Sequence, residues 1–178
     1  MKKRTVILTL LTLSLFSIAF NASSPTYAAI LQRVWLQYDD GTHENIEAWP
    51  AGYMLGVRFT APQRSILLRL RFYIVSSPTT FEVHILDAVT HADLIEPFTI
   101  TPTSEFTDGW LEKKLVPQRV FLLVQGDFIV ALKFVSSNAP VLGSDVEGLD
   151  GGRSEIYDGN VWYAYPSNFM IRAEIGYI

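Results

Sequence analysis

The fold this sequence predicts is all-β: two antiparallel sheets stacked face to face in a jelly-roll-like sandwich. Three observations predict it. Beyond the N-terminal residues, apolar side chains recur with a period of two rather than the 3.6 of a helix. Pro, Gly, Ser and Asp clusters interrupt that alternation at short intervals. The alternating runs carry one apolar and one polar face, the pattern of half-buried antiparallel strands that cover each other in pairs of sheets.

Taken in order, the chain opens on Lys2, Lys3 and Arg4, followed by the apolar run Val6 to Phe20 and the small residues before Ala28. This is the layout of a cleaved secretory signal peptide over residues 1–28, with an uncleaved signal anchor as the alternative, and cleavage leaves one β-sandwich domain over 29–178 and a secreted, extracellular product. The alternation then predicts strands at Gln32–Tyr38, Met54–Thr60, Ser65–Val75, Thr80–Asp87, Trp110–Val116, Asp127–Ser136, Val161–Tyr163 and Asn168–Tyr177. Shorter pieces are expected at Phe98–Thr101 and Ser154–Tyr157. A four-residue loop at Ser76–Thr79 would make a hairpin pairing Ile74 with Phe81, Phe72 with Val83 and Leu70 with Ile85. The same hairpin sets His84 opposite Arg71. Phe128, Val130, Leu132 and Phe134 are expected on one face of their strand, as are Phe169, Ile171, Ala173 and Ile175 on theirs. Gly41–Gly52, Thr101–Gly109 and Ala139–Gly152 read as loops, where a scaffold of strands carries its function.

Charge and composition exclude several classes. The formal net charge is −4, and losing three basic residues with the signal makes it −7. Neither nucleic acid nor an anionic lipid surface suits such a chain. With no cysteine the domain has no disulfide staples, thiolate metal site, cysteine nucleophile or lipid-modified cysteine. After the signal no further run is long and apolar enough to anchor in a membrane.

Two groups of residues are candidates for a site. Asp39, Asp40 and Glu44 follow the first strand, and Asp145, Glu147, Asp150 and Asp158 lie in the glycine-rich stretch GSDVEGLDGGRSEIYDGN. Oxygen-rich loops of this kind supply the ligands of a structural Ca²⁺, while Asp and Gly also form tight turns unaided. The second group is aromatic: Trp162, Tyr163 and Tyr165. Tyr163 and Tyr165 fall on one side of a strand and are expected as an exposed pair, suited to stacking on a sugar ring. Trp49 and Trp110 are expected in the core. The three histidines show no zinc spacing. No nucleophile motif appears, so no catalytic residue is assigned.

The ordered series YDDGTHE, VRFTAP, LRFYIV, FEVHILDA, GDFIVAL, LGSD, GRSEIYDGNVW and NFMIRAEI resembles a secreted β-sandwich module of bacterial and archaeal extracellular proteins, often appended to peptidases. The resemblance implies a non-catalytic domain used for binding or attachment, with a polysaccharide or a secreted protein as partner. It also implies that Asp145, Arg153 and Ser154 are structural, tying a loop to the sheet. Two other readings stand beside it: a subunit of an extracellular assembly, and a small hydrolase using a carboxylate of the DVEGLDGG loop.

Overall fold

The computed structural model describes residues 32–75, 79–103, 106, 108–115, 122–147 and 152–178. The expected signal peptide and Asp150 lie outside them. The described residues form twelve strands: β1 (Arg33–Leu36), β2 (Asn45–Glu47), β3 (Met54–Ile74), β4 (Phe81–Asp87), β5 (Phe98–Ile100), β6 (Gly109–Lys114), β7 (Leu123–Phe134), β8 (Leu142–Asp145), β9 (Ser154–Tyr157), β10 (Trp162–Tyr165), β11 (Asn168–Phe169) and β12 (Ile171–Tyr177). Every pairing among them is antiparallel.

One strand builds both layers. β3 runs for 21 residues, where the sequence suggested two strands, Met54–Thr60 and Ser65–Val75, separated at Ala61–Arg64. Its register against β7 jumps from Ala61↔Gly126 to Ser65↔Val124, so the break is a bulge rather than a loop. Pro62 has no N–H to give to a ladder, and Gly126 opposite takes a positive φ of 72°. Extra residues of this kind bend a strand and sharpen its twist. The first half of β3 pairs with β7 and β9, giving the layer β10-β9-β3-β7-β4-β5. The second half pairs with β12 and β6 and, through Ile74, with β8, which carries β2 and β11. The sandwich is one continuous sheet folded over itself.

The interior follows from alternation. Phe128, Val130, Leu132 and Phe134 of β7 join Phe72, Ile74, Phe81, Val83, Ile85, Phe169, Ile171, Ala173 and Ile175 in a single buried cluster. The faces expected for β7 and for β11–β12 are those observed. The expected hairpin is not. β4 pairs with β7 and β5, and β3 does not pair with β4. Phe72 and Phe81 instead meet across the core, edge to face with ring centroids 5.3 Å apart. Two runs of alternating apolar residues bury the same faces whether they are bonded side by side or stacked in opposite layers, and here they are stacked. The segments read as loops around Asn45 and Leu142 contain β2 and β8.

The corrected topology also separates His84 from Arg71. Arg71 lies on the outer face of the second layer, bonded to Glu112 at 2.8 and 3.0 Å and placed 4.3 Å over the Trp35 ring. His84 lies on the first layer between Asp93, 2.9 Å from Nδ1, and Glu82, 3.0 Å from Nε2. The Glu82 contact is not aligned as a hydrogen bond. Trp110 is likewise outside the core: it sits on the outer face of the second layer under the Arg172 guanidinium, 4.1 Å away. Trp49 packs against the core as expected.

Candidate functional site

The outer face of the first layer carries a shallow cavity of about 240 Å³, lined by Arg58, His91, Glu155, Trp162, Tyr163 and Ala164. Its construction follows from strand register. Met54, Gly56 and Arg58 alternate outward from β3, and Tyr157 and Glu155 of β9 are the cross-strand partners of Met54 and Gly56. Trp162 and Ala164 are in turn opposite Tyr157 and Glu155 on β10. A small apolar cluster of Leu86, Ala88, Ile129 and Ala131, with Met54 against it, supports Trp162 from below. Gly56 makes room for the indole: a Cβ there would come 2.8 Å from Ile129 Cγ2 and 3.4 Å from the Trp162 ring.

The polar part of the cavity is a paired carboxylate. Glu155 is 9% exposed and receives the Nε of Arg58 at 2.8 Å, with a second guanidinium nitrogen also in contact. Its other oxygen faces Nε2 of His91 at 3.3 Å. The His91 ring stacks on Trp162 with centroids 4.9 Å apart and 9° between planes, and Tyr157 leans against the same indole at 5.3 Å. Tyr163 is 40% exposed. Burial raises its hydroxyl pKa, aided by the nearby Tyr53 and Asp158.

Tyr165 does not form an exposed pair with Tyr163. It shares that side of β10 but points to the interior, stacked on Phe169 at 4.9 Å and edge-on to Trp49. Its hydroxyl donates to Glu47, which also accepts from Ser144 Oγ at 2.9 Å and Trp49 Nε1 at 3.1 Å. Burial and the Glu47 charge push the Tyr165 pKa up to about 12. A buried carboxylate with three donors is a satisfied structural hub linking β2, β8 and β10. The aromatic surface of the outer face is therefore Trp162, with Tyr163 at the cavity's rim on the other side of β10, joined by His91, Arg58 and Glu155. Alternation alone had no way to reveal those three, because they come from three separate segments.

The acidic residues divide. Asp40, Asp145 and Glu44 bring carboxylate oxygens within 4.8 Å of one another. Asp39 turns away, buried and bonded by Arg172 Nε at 3.1 Å. Glu147 is exposed, and its N–H, not its carboxylate, reaches Asp145, at 2.7 Å. Asp40 N donates to the other Asp145 oxygen at 2.8 Å. Thr42, through its hydroxyl and N–H, holds the Asp40 pKa below the usual carboxylate value. Asn168 lies directly opposite Asp145 in the β8–β11 ladder, which puts both side chains on one face. Its Oδ1 is buried without a hydrogen-bond partner.

Of Asp145, Arg153 and Ser154, which the resemblance implies to be structural, Asp145 holds loop backbone and the other two bond to neighbouring strands. Asp145 does so through the two N–H groups just described. Ser154 Oγ accepts from Phe169 N at 2.9 Å, and Arg153 reaches Thr60 Oγ1 at 3.1 Å and covers the Tyr38 ring. None of these contacts is a charged pair between the three.

No family model and no curated protein matches the sequence. Solved structures that share the fold include two of one clostridial protein. One is of the cysteine protease and lectin-like domains of Cwp84, a surface layer associated protein of Clostridium difficile, with a TM-score of 0.56 and 16% identity. The other is the clostridial cysteine protease Cwp84 after propeptide cleavage, with a TM-score of 0.60 and 15% identity. In each, 81% of this chain is matched, against 36% and 40% of the other. The chain thus spans well under half the length of those proteins, and at this identity the likeness is one of fold alone: all-β and antiparallel.

Proposed function

We propose that this chain is a non-catalytic extracellular binding domain that attaches to polysaccharide through the outer sheet face around Trp162 and Tyr163. The observation carrying this reading is the cavity itself, where a half-buried indole adjoins a buried carboxylate already bonded to a guanidinium. An apolar ring beside fixed polar groups is what a sugar needs, since one pyranose face is apolar and its rim carries hydroxyls. Lectin-like structural neighbours support the same reading. The test is titration of a glycan panel followed by tryptophan fluorescence. Trp162→Ala should abolish binding, Tyr163→Ala at the rim should weaken it, and Tyr165→Phe should leave affinity unchanged. Binding that survives loss of Trp162, or that appears only with a protein ligand, would overturn the sugar reading.

A structural Ca²⁺ at Asp40, Glu44 and Asp145 belongs to this proposal, with Asn168 Oδ1 as a fourth oxygen. Ligands held at about 2.4 Å from one calcium can lie at most about 4.8 Å apart, and the three carboxylates meet that limit. Of the acids expected from the sequence, Asp40, Glu44 and Asp145 belong to this set and Asn168 is added, while Asp39 and Glu147 point elsewhere and Asp150 lies outside the described residues. Millimolar Ca²⁺ should raise the thermal midpoint over that in chelator, and Asp145→Asn should remove the difference. A midpoint indifferent to Ca²⁺ would exclude the site.

A further inference from the structure

His91 occupies the part of the cavity that a ligand ring would take. Its imidazole lies nearly parallel to the Trp162 indole, and its Nε2 faces the Glu155 oxygen that Arg58 Nε does not take. A carboxylate only accepts, so the imidazole donates there. One side chain thus engages a face of the indole and an acceptor of the buried acid.

The backbone fixes His91 in this position. Its φ is 56°, uncommon for a residue with a side chain. The turn beginning at Asp87 holds it there, with His91 N donating to Asp87 O and Asp87 N to Ala92 O, both at 2.9 Å. Asp87 Oδ1 also accepts from Val89 N and Thr90 N. Among the described residues, the imidazole itself is tethered by one long hydrogen bond and one stacking contact. Side-chain rotation alone would uncover the indole.

We propose that His91 is a built-in competitor for this cavity, and that the ligand is a neutral pyranose ring that displaces it. The ring would lay its apolar face on Trp162 and donate a hydroxyl to Glu155 Oε2 where the imidazole now donates. Arg58 and Glu155 already neutralise each other, so the cavity offers no uncompensated charge to a uronate or an ammonium sugar. The inference rests on the reading of this cavity as a sugar site and adds the ligand class and its control.

The test uses His91→Asn, because Asn tolerates the left-handed backbone and is too short to cover the indole. His91→Ala is the second variant. Affinity for neutral glycans is measured beside acrylamide quenching of Trp162, isolated by difference from Trp162→Phe. Both variants should bind the same neutral glycans roughly fivefold tighter or more, since affinity scales with the fraction of open sites. Trp162 should also become easier to quench in the absence of ligand. Unchanged or weaker affinity with intact glycan binding overturns the competitor role and leaves the sugar site standing. Preference for acidic glycans overturns the ligand class. If neither the wild type nor the variants bind any glycan, the sugar reading falls and takes the ligand class with it. Unchanged quenching would then also remove His91 as the cover of the indole.

Discussion

At the scale of single residues, Gly56 and Tyr165 decide most. A methyl at Gly56 would press on Ile129 Cγ2, a stiff branch packed beneath the sheet face, and on Trp162. Gly56→Ala is therefore expected to destabilise by about 1–3 kcal/mol, the usual range for overpacking. Urea denaturation would show the loss, and a shifted Trp162 emission would show the displaced indole. Tyr165 sets a pH limit. Its hydroxyl pKa is about 12 in the fold against 10.0 for the free side chain. The folded state therefore holds this proton more tightly. The corresponding stability, at most about 2–3 kcal/mol, is complete below pH 10 and lost as pH rises toward 12. Tyr165→Phe should flatten that alkaline loss while costing about 1 kcal/mol at neutral pH through the missing bond to Glu47.

At the scale of elements, the outer face of the second layer is held by ion pairs whose removal is unequal in cost. Asp39 is 1% exposed, and Arg172 of β12 is its cation. Arg172→Met would strand a buried charge, a loss of about 3–5 kcal/mol. Adding Asp39→Asn should recover much of it, and a double-mutant cycle in urea measures the difference. Elements also show what the sequence could tell. The faces of β7 and β12 were legible because their alternation is long and unbroken. β2 and β8 were not, being three and four residues long and set among Gly, Asp and Glu that read as turns. The pairing of Leu70–Ile74 with Phe81–Ile85 was misread because alternation reports which face is buried and nothing about which strand lies alongside. The cavity was half legible: Trp162 and Tyr163 are adjacent in sequence, whereas Arg58, His91 and Glu155 join them only through the pairing of β3 with β9 and the turn after β4.

At the scale of the whole molecule, the two layers share β3, so neither can unfold alone. Near- and far-ultraviolet dichroism should give one coincident transition in urea, and a separated second transition would contradict the shared strand. The acid limb has a distributed origin. Backbone donors at Thr90 and Val89 hold Asp87 below its ordinary pKa, as those at Val161 and Asn160 do Asp158. Burial raises Glu112, but bonding and charge from Arg71 and Arg69 more than offset it. For groups lowered in the fold, the stability is present above the ordinary carboxylate range and lost as pH falls through the depressed values. Thermal midpoints between pH 6 and pH 2 should fall most steeply below about pH 4, and Asp87→Asn should make that fall shallower.

The bulge at Pro62–Arg64 has a last consequence. Because β3 carries one layer before this point and the other after it, the residue count here sets the parity of everything downstream. Shortening the segment by one would rotate Phe72 and Ile74 into water and Arg71 and Tyr73 into oil, leaving Met54 to Phe59 undisturbed. Three exposed positions without any ligand to hold thus act as the phase setting between two halves of a single molecule.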